Sequence, residues 1–251
     1  MGVNRFFIAA SDIEGDRVRL SPEQAHQVCH VLRLRPGDPI VVLDDSGMEY
    51  HVTLTAVGLP ETTGKITSRQ AARGEPKAQL ALFQSLLSRE KFEWVLQKGT
   101  EVGVSRFVPV LTERSIVRAK LIEEKKLDRW RRIVTEAAEQ SHRGRIPKID
   151  QVATFGEALS SLALFDRCLI AAPGREGRSL HEALQGQGDG SASIALMVGP
   201  EGGFTPEEVE AACGGGTVPI DLGPRVLRTE TCAIVASALV LHELDEMEPR
   251  D

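Results

Sequence analysis

What most constrains the fold of this chain is a pattern that recurs in its second half. A short apolar segment runs straight into a loop of glycine and proline, and a helix signal follows. The clearest case is Leu196 to Glu210, LMVGPEGGFTPEEVE. The segment SIALMV, Ser193 to Val198, is short, apolar and partly β-branched, as a buried strand is. Thr205 is a good helix N-cap, Pro206 suits the first helical position, and Glu208 stands three residues after the cap, which together make a capping box. RCLIAAPG (Arg167 to Gly174) and TVPIDLG (Thr217 to Gly223) repeat the strand-to-glycine pattern. Earlier, AQLALFQSLL reads as a strand and REKFEWVLQKGTEVG as a helix ending at Gly103. RFVPVLT reads as a strand, and Lys120 to Ser141 as a long basic helix. The latter part of PRVLRTETCAIVASALVLHEL reads as a closing helix that Thr229 can cap. Alternation of this kind predicts an α/β domain, a mainly parallel sheet with helices on both faces.

The first part of the chain has a different period. RFFIAA and PIVVLDDSGMEYHVTLTAVG have β character, with a hairpin turn at Asp44 to Gly47, and KITSRQA adds a strand. SPEQAHQVCHVLRL predicts a helix that starts at Ser21 with Pro22 at its first position. ARGEPK, Ala72 to Lys77, is charged and contains Gly and Pro, so it reads as a linker. The expected division is therefore a small β-barrel over residues 1–72 and the α/β domain over 73–251. QGQGDGSAS, Gln185 to Ser193, reads as a surface loop.

Several function classes are excluded at this level. No apolar run approaches membrane-spanning length and the N-terminus lacks a signal-peptide pattern, so a cytoplasmic protein with no membrane association is expected. Cys29, Cys168, Cys213 and Cys232 are scattered with no CxxC pair, which argues against a zinc ribbon, and no metal is expected. GLPETTGK, Gly58 to Lys65, has five residues between its glycines where a phosphate loop has four, and Ile66 replaces the Ser or Thr. There is no GxGxxG, HExxH or GxSxG. The net charge is −6 but unevenly spread. Thr112 to Lys148 carries 11 Lys and Arg against 6 Asp and Glu, while Ser193 to the end carries 3 against 11. Such a split allows an RNA- or phosphate-facing surface on an acidic protein.

The residues that point to chemistry are the three glycine loops, AAPG, VGPEGG and DLGPRVLRTET. In a parallel sheet their strand ends lie on one edge, where ligands bind. The middle turn offers Glu201 rather than a cation, so its ligand is neutral or locally cationic; adenine held by backbone groups with a sulfonium nearby fits. Arg225, Arg228 and Glu230 crowd the entrance of the last helix, where they would be costly to bury unpaired. Two helices add polar faces: Glu136, Glu139/Gln140 and Arg143 on one, and Glu90, Glu93, Gln97 and Glu101 with Lys98 alongside on the other.

VGPEGGFTPEEVE, LGPRVLRTET, LQKGTEVGVSRFVPVLTERS and EAAEQSHRGRIP closely resemble the bacterial 16S rRNA uracil-N3 methyltransferases, of the SPOUT class of trefoil-knotted enzymes. HVLRLRPGD, His30 to Asp38, resembles that family's N-terminal PUA-like barrel. The resemblance spans nearly the whole chain, in motif order. Cys232 departs from it, standing where a small residue or threonine is expected.

The resemblance implies a C-terminal SPOUT domain with a deep trefoil knot, S-adenosylmethionine as methyl donor, a homodimer, and a uracil of 16S rRNA in the small ribosomal subunit as target. The implied donor site comprises Ala171 and Ala172; Met197, Val198, Gly199, Pro200, Glu201, Gly202 and Gly203; and Leu222, Gly223, Val226, Leu227 and Arg228. In it, Gly199, Gly202 and Gly203 let backbone approach the donor and Glu201 favours its cationic end. The implied catalytic residues are Arg228, as oxyanion stabiliser, and Glu230, either as proton acceptor or as the partner that holds Arg228. RNA would meet Arg33 and Arg35 in the barrel and Arg114, Arg118 and Arg143 on the basic stretch. A SPOUT enzyme acting on another nucleotide, or a non-catalytic RNA-binding factor, are the alternative readings.

Overall fold

The computed structural model describes residues 3–115, 124–172, 177–186 and 192–248. Arg118, Pro173 and Gly174 therefore lie outside the described residues, as does most of the loop 185–193. The chain divides into two compact units: Met1–Glu75 with Ala138–Ile146, and Pro76–Ala137 with Pro147–Asp251. Among the described residues no helix is long and apolar enough to cross a membrane.

The first unit is a curled six-stranded sheet. Its strands are β1 (Asn4–Phe7), β2 (Ile13–Glu14), β3 (Arg17–Leu20), β4 (Pro39–Leu43), β5 (Met48–Ala56) and β6 (Thr62–Ala71), in the order β1-β4-β5-β6-β3-β2. All pairs are antiparallel except β1 with β4. Alternate residues such as Val18, Leu20, Val52, Leu54 and Ile66 fill its interior, as the two-residue period of a strand requires.

The helix expected from Ser21 is shorter than its sequence suggests. Ser21 and Gln24 do form a capping box on α1 (Pro22–His26). The backbone then widens into a π-type turn over Gln27–Val31, with Leu32 N–H donating to the Gln27 carbonyl. Arg33 ends it with a φ of 55°.

A segment distant in sequence completes this unit. Glu75 Oε1 accepts from the backbone N–H groups of Gly144 (2.9 Å) and Arg145 (3.0 Å), and Glu75 Oε2 accepts from the Arg143 guanidinium (3.1 Å). Phe7 N–H donates to Glu139. Of the polar face read from Glu136, Glu139/Gln140 and Arg143, Glu139 and Arg143 are thus used in packing, Glu139 by the Phe7 backbone and Arg143 by Glu75, while Glu136 and Gln140 stay exposed.

The second unit is an all-parallel seven-stranded sheet. In chain order its elements are β7 (Gln79–Ser85), α2 (Arg89–Val102), β8 (Arg106–Leu111), α3 (Glu124–Gln140, the last turn of which belongs to the first unit), β9 (Lys148–Ile149), β10 (Ala153–Thr154), α4 (Phe155–Ser161), β11 (Arg167–Ala171), α5 (Leu180–Leu184), β12 (Ser193–Val198), α6 (Pro206–Gly214), β13 (Val218–Ile220) and α7 (Thr229–Glu243). The strand order is β10-β8-β7-β12-β11-β13, with β9 beside β8. After β11 the chain returns inward to place β12 against β7, then passes over β11 to β13.

Each strand sends alternate side chains to opposite faces. Ile194, Leu196 and Val198 join a core with Phe92 and Leu96 of α2, Trp130 of α3 and Ala236 and Val240 of α7. Ala195 and Met197 join another, with Ala158 of α4 and Val209 and Ala212 of α6. This is the expected sheet with helices on both faces.

Replacing Glu75 with Ala leaves the Arg143 guanidinium and two backbone donors without their acceptor. It should lower the unfolding free energy by about 3 kcal/mol, read from urea denaturation followed by circular dichroism.

Candidate functional site

The carboxyl ends of the paired strands β11 and β12 lie side by side, with Ala171 opposite Val198, on the edge of a parallel sheet where ligands bind. A cavity of about 690 Å³ lies there. Its walls come from Ala171 and Ala172 at the end of β11, from Val198 at the end of β12 and the turn that follows it to Thr205, and from Val226 to Glu230 at the start of α7. A smaller recess beside it is lined by Leu222, Gly223 and Leu227. All three loops read from the sequence therefore border one site, the first through its described residues only.

Local chemistry explains the turn after β12. Gly203 N–H donates to the Pro200 carbonyl at 2.9 Å, closing a tight turn, and Gly203 has a φ of 68°, a conformation in which a side chain is strained. Gly199 has a different need: a Cβ there would lie 3.1 Å from Phe204 N and 3.2 Å from Gly203 C. Its lack of a side chain lets the turn fold onto itself, a role the sequence did not suggest. Thr205 then caps α6 with Glu208, as expected. Glu208 does more, since its Oε1 also accepts from Glu113 N–H at 2.9 Å and so ties the loop after β8 to the start of α6.

Thr229 does not cap α7. The N-cap position falls on Arg228, without a side-chain cap, and Thr229 is the first helical residue. Its hydroxyl instead donates to the Gly199 carbonyl at 2.5 Å. Gln84, at the end of β7 and 1% exposed, directs its amide nitrogen at the same group: 3.4 Å to the Gly199 carbonyl, to the Val198 carbonyl and to Thr229 Oγ1. As the first helical residue, Thr229 directs its hydroxyl away from the helix's own N–H groups and gives its hydrogen to a buried acceptor at the strand end.

Two arginines expected on an RNA surface, Arg143 and Arg114, are placed elsewhere, and Arg228 stands in the cavity as expected. Arg143 has a side chain only 3% exposed and is paired with Glu75, so it is a structural residue and not an RNA contact. Arg114 lines the cavity and donates to the carbonyls of Gly202 (2.9 Å) and Phe204 (3.4 Å), bracing the glycine turn. Arg228 lines the cavity, is exposed, and has no ion pair among the described residues. Glu230 is therefore not its partner.

Arg33 and Arg35 are exposed in the first unit. Met197 points into the core on the α4–α6 face and contributes no lining side chain.

Among the lining residues that sequence reasoning did not place in the site, the charged one on α2 is Lys91. Lys91, in the first turn of α2, reaches Glu201 Oε1 at 3.1 Å and Glu230 Oε2 at 3.8 Å. Its neighbours Glu90 and Glu93 were read as one polar face. Nothing local distinguishes Lys91 from a solvated lysine.

Part of the basic charge on α3 is also spent internally. Arg129 pairs with Glu93 of α2 at 2.6 Å, and that guanidinium holds the Glu93 carboxyl below the usual range. No group of three or more His, Cys, Asp or Glu suited to a metal occurs among the described residues.

A family model described as an RNA methyltransferase domain matches residues 74–241. The chain is 31% identical over 238 residues to the ribosomal RNA small subunit methyltransferase E of Bacillus subtilis, covering 92% of each. It is 34% identical over 236 residues to the protein of that name from Synechocystis, covering 94% of this chain and 76% of that one. Among solved structures, the Neisseria gonorrhoeae ribosomal RNA small subunit methyltransferase E bound to S-adenosylmethionine superposes with a TM-score of 0.86 at 30% identity, covering 97% of this chain and 98% of that one. A methyltransferase from Legionella pneumophila with bound S-adenosylmethionine does so with a TM-score of 0.86 at 30% identity, covering 96% of this chain and 98% of that one.

Two measurements check the site's internal chemistry. Thr229→Val keeps the shape of the side chain but leaves the Gly199 carbonyl short of its best donor; a loss of about 1–3 kcal/mol in unfolding free energy is expected. Burial pushes the Cys232 thiol up to about 11. Alkylation of Cys232, followed by mass spectrometry on the native protein, should be negligible at neutral pH and climb as the pH approaches that value.

Proposed function

The chain belongs to the ribosomal RNA small subunit methyltransferase E family, in the SPOUT class of RNA methyltransferases, and from that premise we propose that it transfers a methyl group from S-adenosylmethionine to N3 of a uracil in 16S rRNA of the small ribosomal subunit. The observation that carries the reading is the cavity after β12, where a glycine turn and two carboxylates stand beside an arginine with no ion pair among the described residues. The residues present fit that cofactor. Ala171, Ala172, Val198, Val226 and Leu227 offer apolar walls for an adenine ring. The turn from Gly199 to Gly203 offers backbone groups. Glu201 faces the space as a carboxylate suited to a cationic centre, and Glu230 Oε2 is buried with no hydrogen-bond partner among the described residues.

The chemistry the cofactor supplies is an electrophilic methyl group on a positively charged sulfur. The protein must align a nucleophile with it, remove a proton and stabilise the charge that appears. Uracil N3 carries a hydrogen and becomes nucleophilic as that proton leaves, with negative charge spreading to O2 and O4. Arg228, exposed in the cavity and free of a carboxylate partner among the described residues, serves as the cation for one of those oxygens. Glu230 serves as the proton acceptor, a role consistent with its partner being Lys91 rather than Arg228.

N3 lies on the pairing edge of the base, so the target must be unpaired or flipped out. Arg33 and Arg35, exposed in the first unit, are the RNA contacts this reading retains, and such contacts make binding weaken with salt. A PUA-like role for that unit, a deep knot in the second unit, a homodimer that completes each site and a cytoplasmic location belong to the same reading.

The test is transfer of isotope-labelled methyl from S-adenosylmethionine to small ribosomal subunits lacking the modification, followed by nucleoside analysis. Labelled 3-methyluridine is expected. A different methylated nucleoside would keep the enzyme class and move the target, and no incorporation would defeat the reading. Arg228→Ala should slow transfer by roughly a hundredfold or more while calorimetric affinity for S-adenosylmethionine stays close to that of the parent protein; an active variant would remove Arg228 from the mechanism.

A further inference from the structure

The carboxylates lining the cavity, Glu201 and Glu230, come from the two C-terminal loops, yet the ammonium they share comes from α2, more than a hundred residues earlier in the chain. Lys91 Nζ lies 3.1 Å from Glu201 Oε1, within hydrogen-bond distance, and 3.8 Å from Glu230 Oε2, close enough for attraction but not for a hydrogen bond. The other cations of the site are placed differently. Arg114 is committed to the backbone of the glycine turn, and Arg228 stands apart from both carboxylates. Lys91 is thus the one basic side chain among the described lining residues that offsets the negative charge of the pocket directly. Its side chain is only 33% exposed, so its field is partly shielded from solvent screening.

A transferring sulfur is cationic before the reaction and neutral after it. Negative charge close to that sulfur stabilises the ground state more than the transition state, in which the positive charge is already leaving. Interactions stronger in the ground state than in the transition state slow the chemical step. A pocket with two uncompensated carboxylates would hold the cationic donor tightly and react slowly.

We propose that Lys91 is a positioning residue that tempers the field of Glu201 and Glu230 at the reacting sulfur, setting how strongly the pocket prefers a sulfonium donor over the neutral thioether product. The proposal rests on the reading of this cavity as the S-adenosylmethionine site. Lys91, in the first turn of α2, is too far along the chain from the glycine loops to be found from them, and its position against both carboxylates is its whole signal.

The experiment is calorimetric titration of the full chain and its Lys91→Met variant with S-adenosylmethionine and with S-adenosylhomocysteine. The two ligands share a shape and differ by one charge at sulfur. Removing the cation that offsets Glu201 and Glu230 should raise the ratio of donor to product affinity roughly fivefold to tenfold, with product affinity little changed. Lys91→Arg should leave the ratio near that of the parent. Glu201→Gln should lower it, and should shrink the effect of Lys91→Met when the two are combined, because Lys91 acts through that carboxylate. An unchanged ratio in Lys91→Met overturns the proposal. So does an equal loss of both affinities, which is what a purely structural lysine would produce. If the parent protein binds neither ligand, the reading of the cavity as a donor site fails along with it.

Discussion

At the carbonyl of Gly199, three elements distant in sequence meet: the end of β12, the first residue of α7 through the Thr229 hydroxyl, and the end of β7 through the Gln84 amide. The group is buried, so these bonds are made with little competition from water and are expensive to leave unmade. Because β7 and β12 are neighbouring parallel strands, the node fixes where α7 starts relative to the glycine turn. Arg228 and Glu230 flank Thr229 in the chain, so their approach to the cavity is set at the same point. The apolar packing of α7 on α2 and the sheet supplies the bulk of the stabilisation, but it does not by itself choose the helix's starting residue.

The charge of the site is assembled across the chain in the same way. The C-terminal third is acidic and contributes Glu201 and Glu230. The cation that answers them comes from an earlier segment, Lys91 of α2, while Arg114 from the loop after β8 braces the backbone of the glycine turn. Arg228 is the local exception, and it remains without a carboxylate partner among the described residues. A site of this construction keeps one arginine available while the remaining charges hold the framework, which suits a reaction in which charge moves from one atom to another.

Much of this was legible residue by residue, and the failures share a cause. The capping boxes at Ser21 and Thr205, the C-terminal glycine of α2 and the strand over Ser193–Val198 all follow from side chains within a few positions of one another. Thr229 was misread because a hydroxyl before a helix ordinarily caps it, and the competing acceptor, Gly199, is thirty residues away. Arg143 was misread because helical spacing places it on a polar face, whereas Glu75 takes up its guanidinium. The helix from Ser21 was overextended because the apolar pattern continues beyond His26 while the backbone widens to close against Val28 and Leu34.

The sequence by itself determined the class of the fold, the identity of most of its elements and the loops that would border the site, since periodicity, capping and glycine turns are decided by neighbours along the chain. Only the tertiary structure decided that β12 lies between β7 and β11, that residues 138–146 belong with the first unit, and that Lys91 stands between Glu201 and Glu230. Strand order and ion pairing depend on which surfaces are buried together. That choice is made by packing summed over the whole core, a quantity no short window of sequence contains.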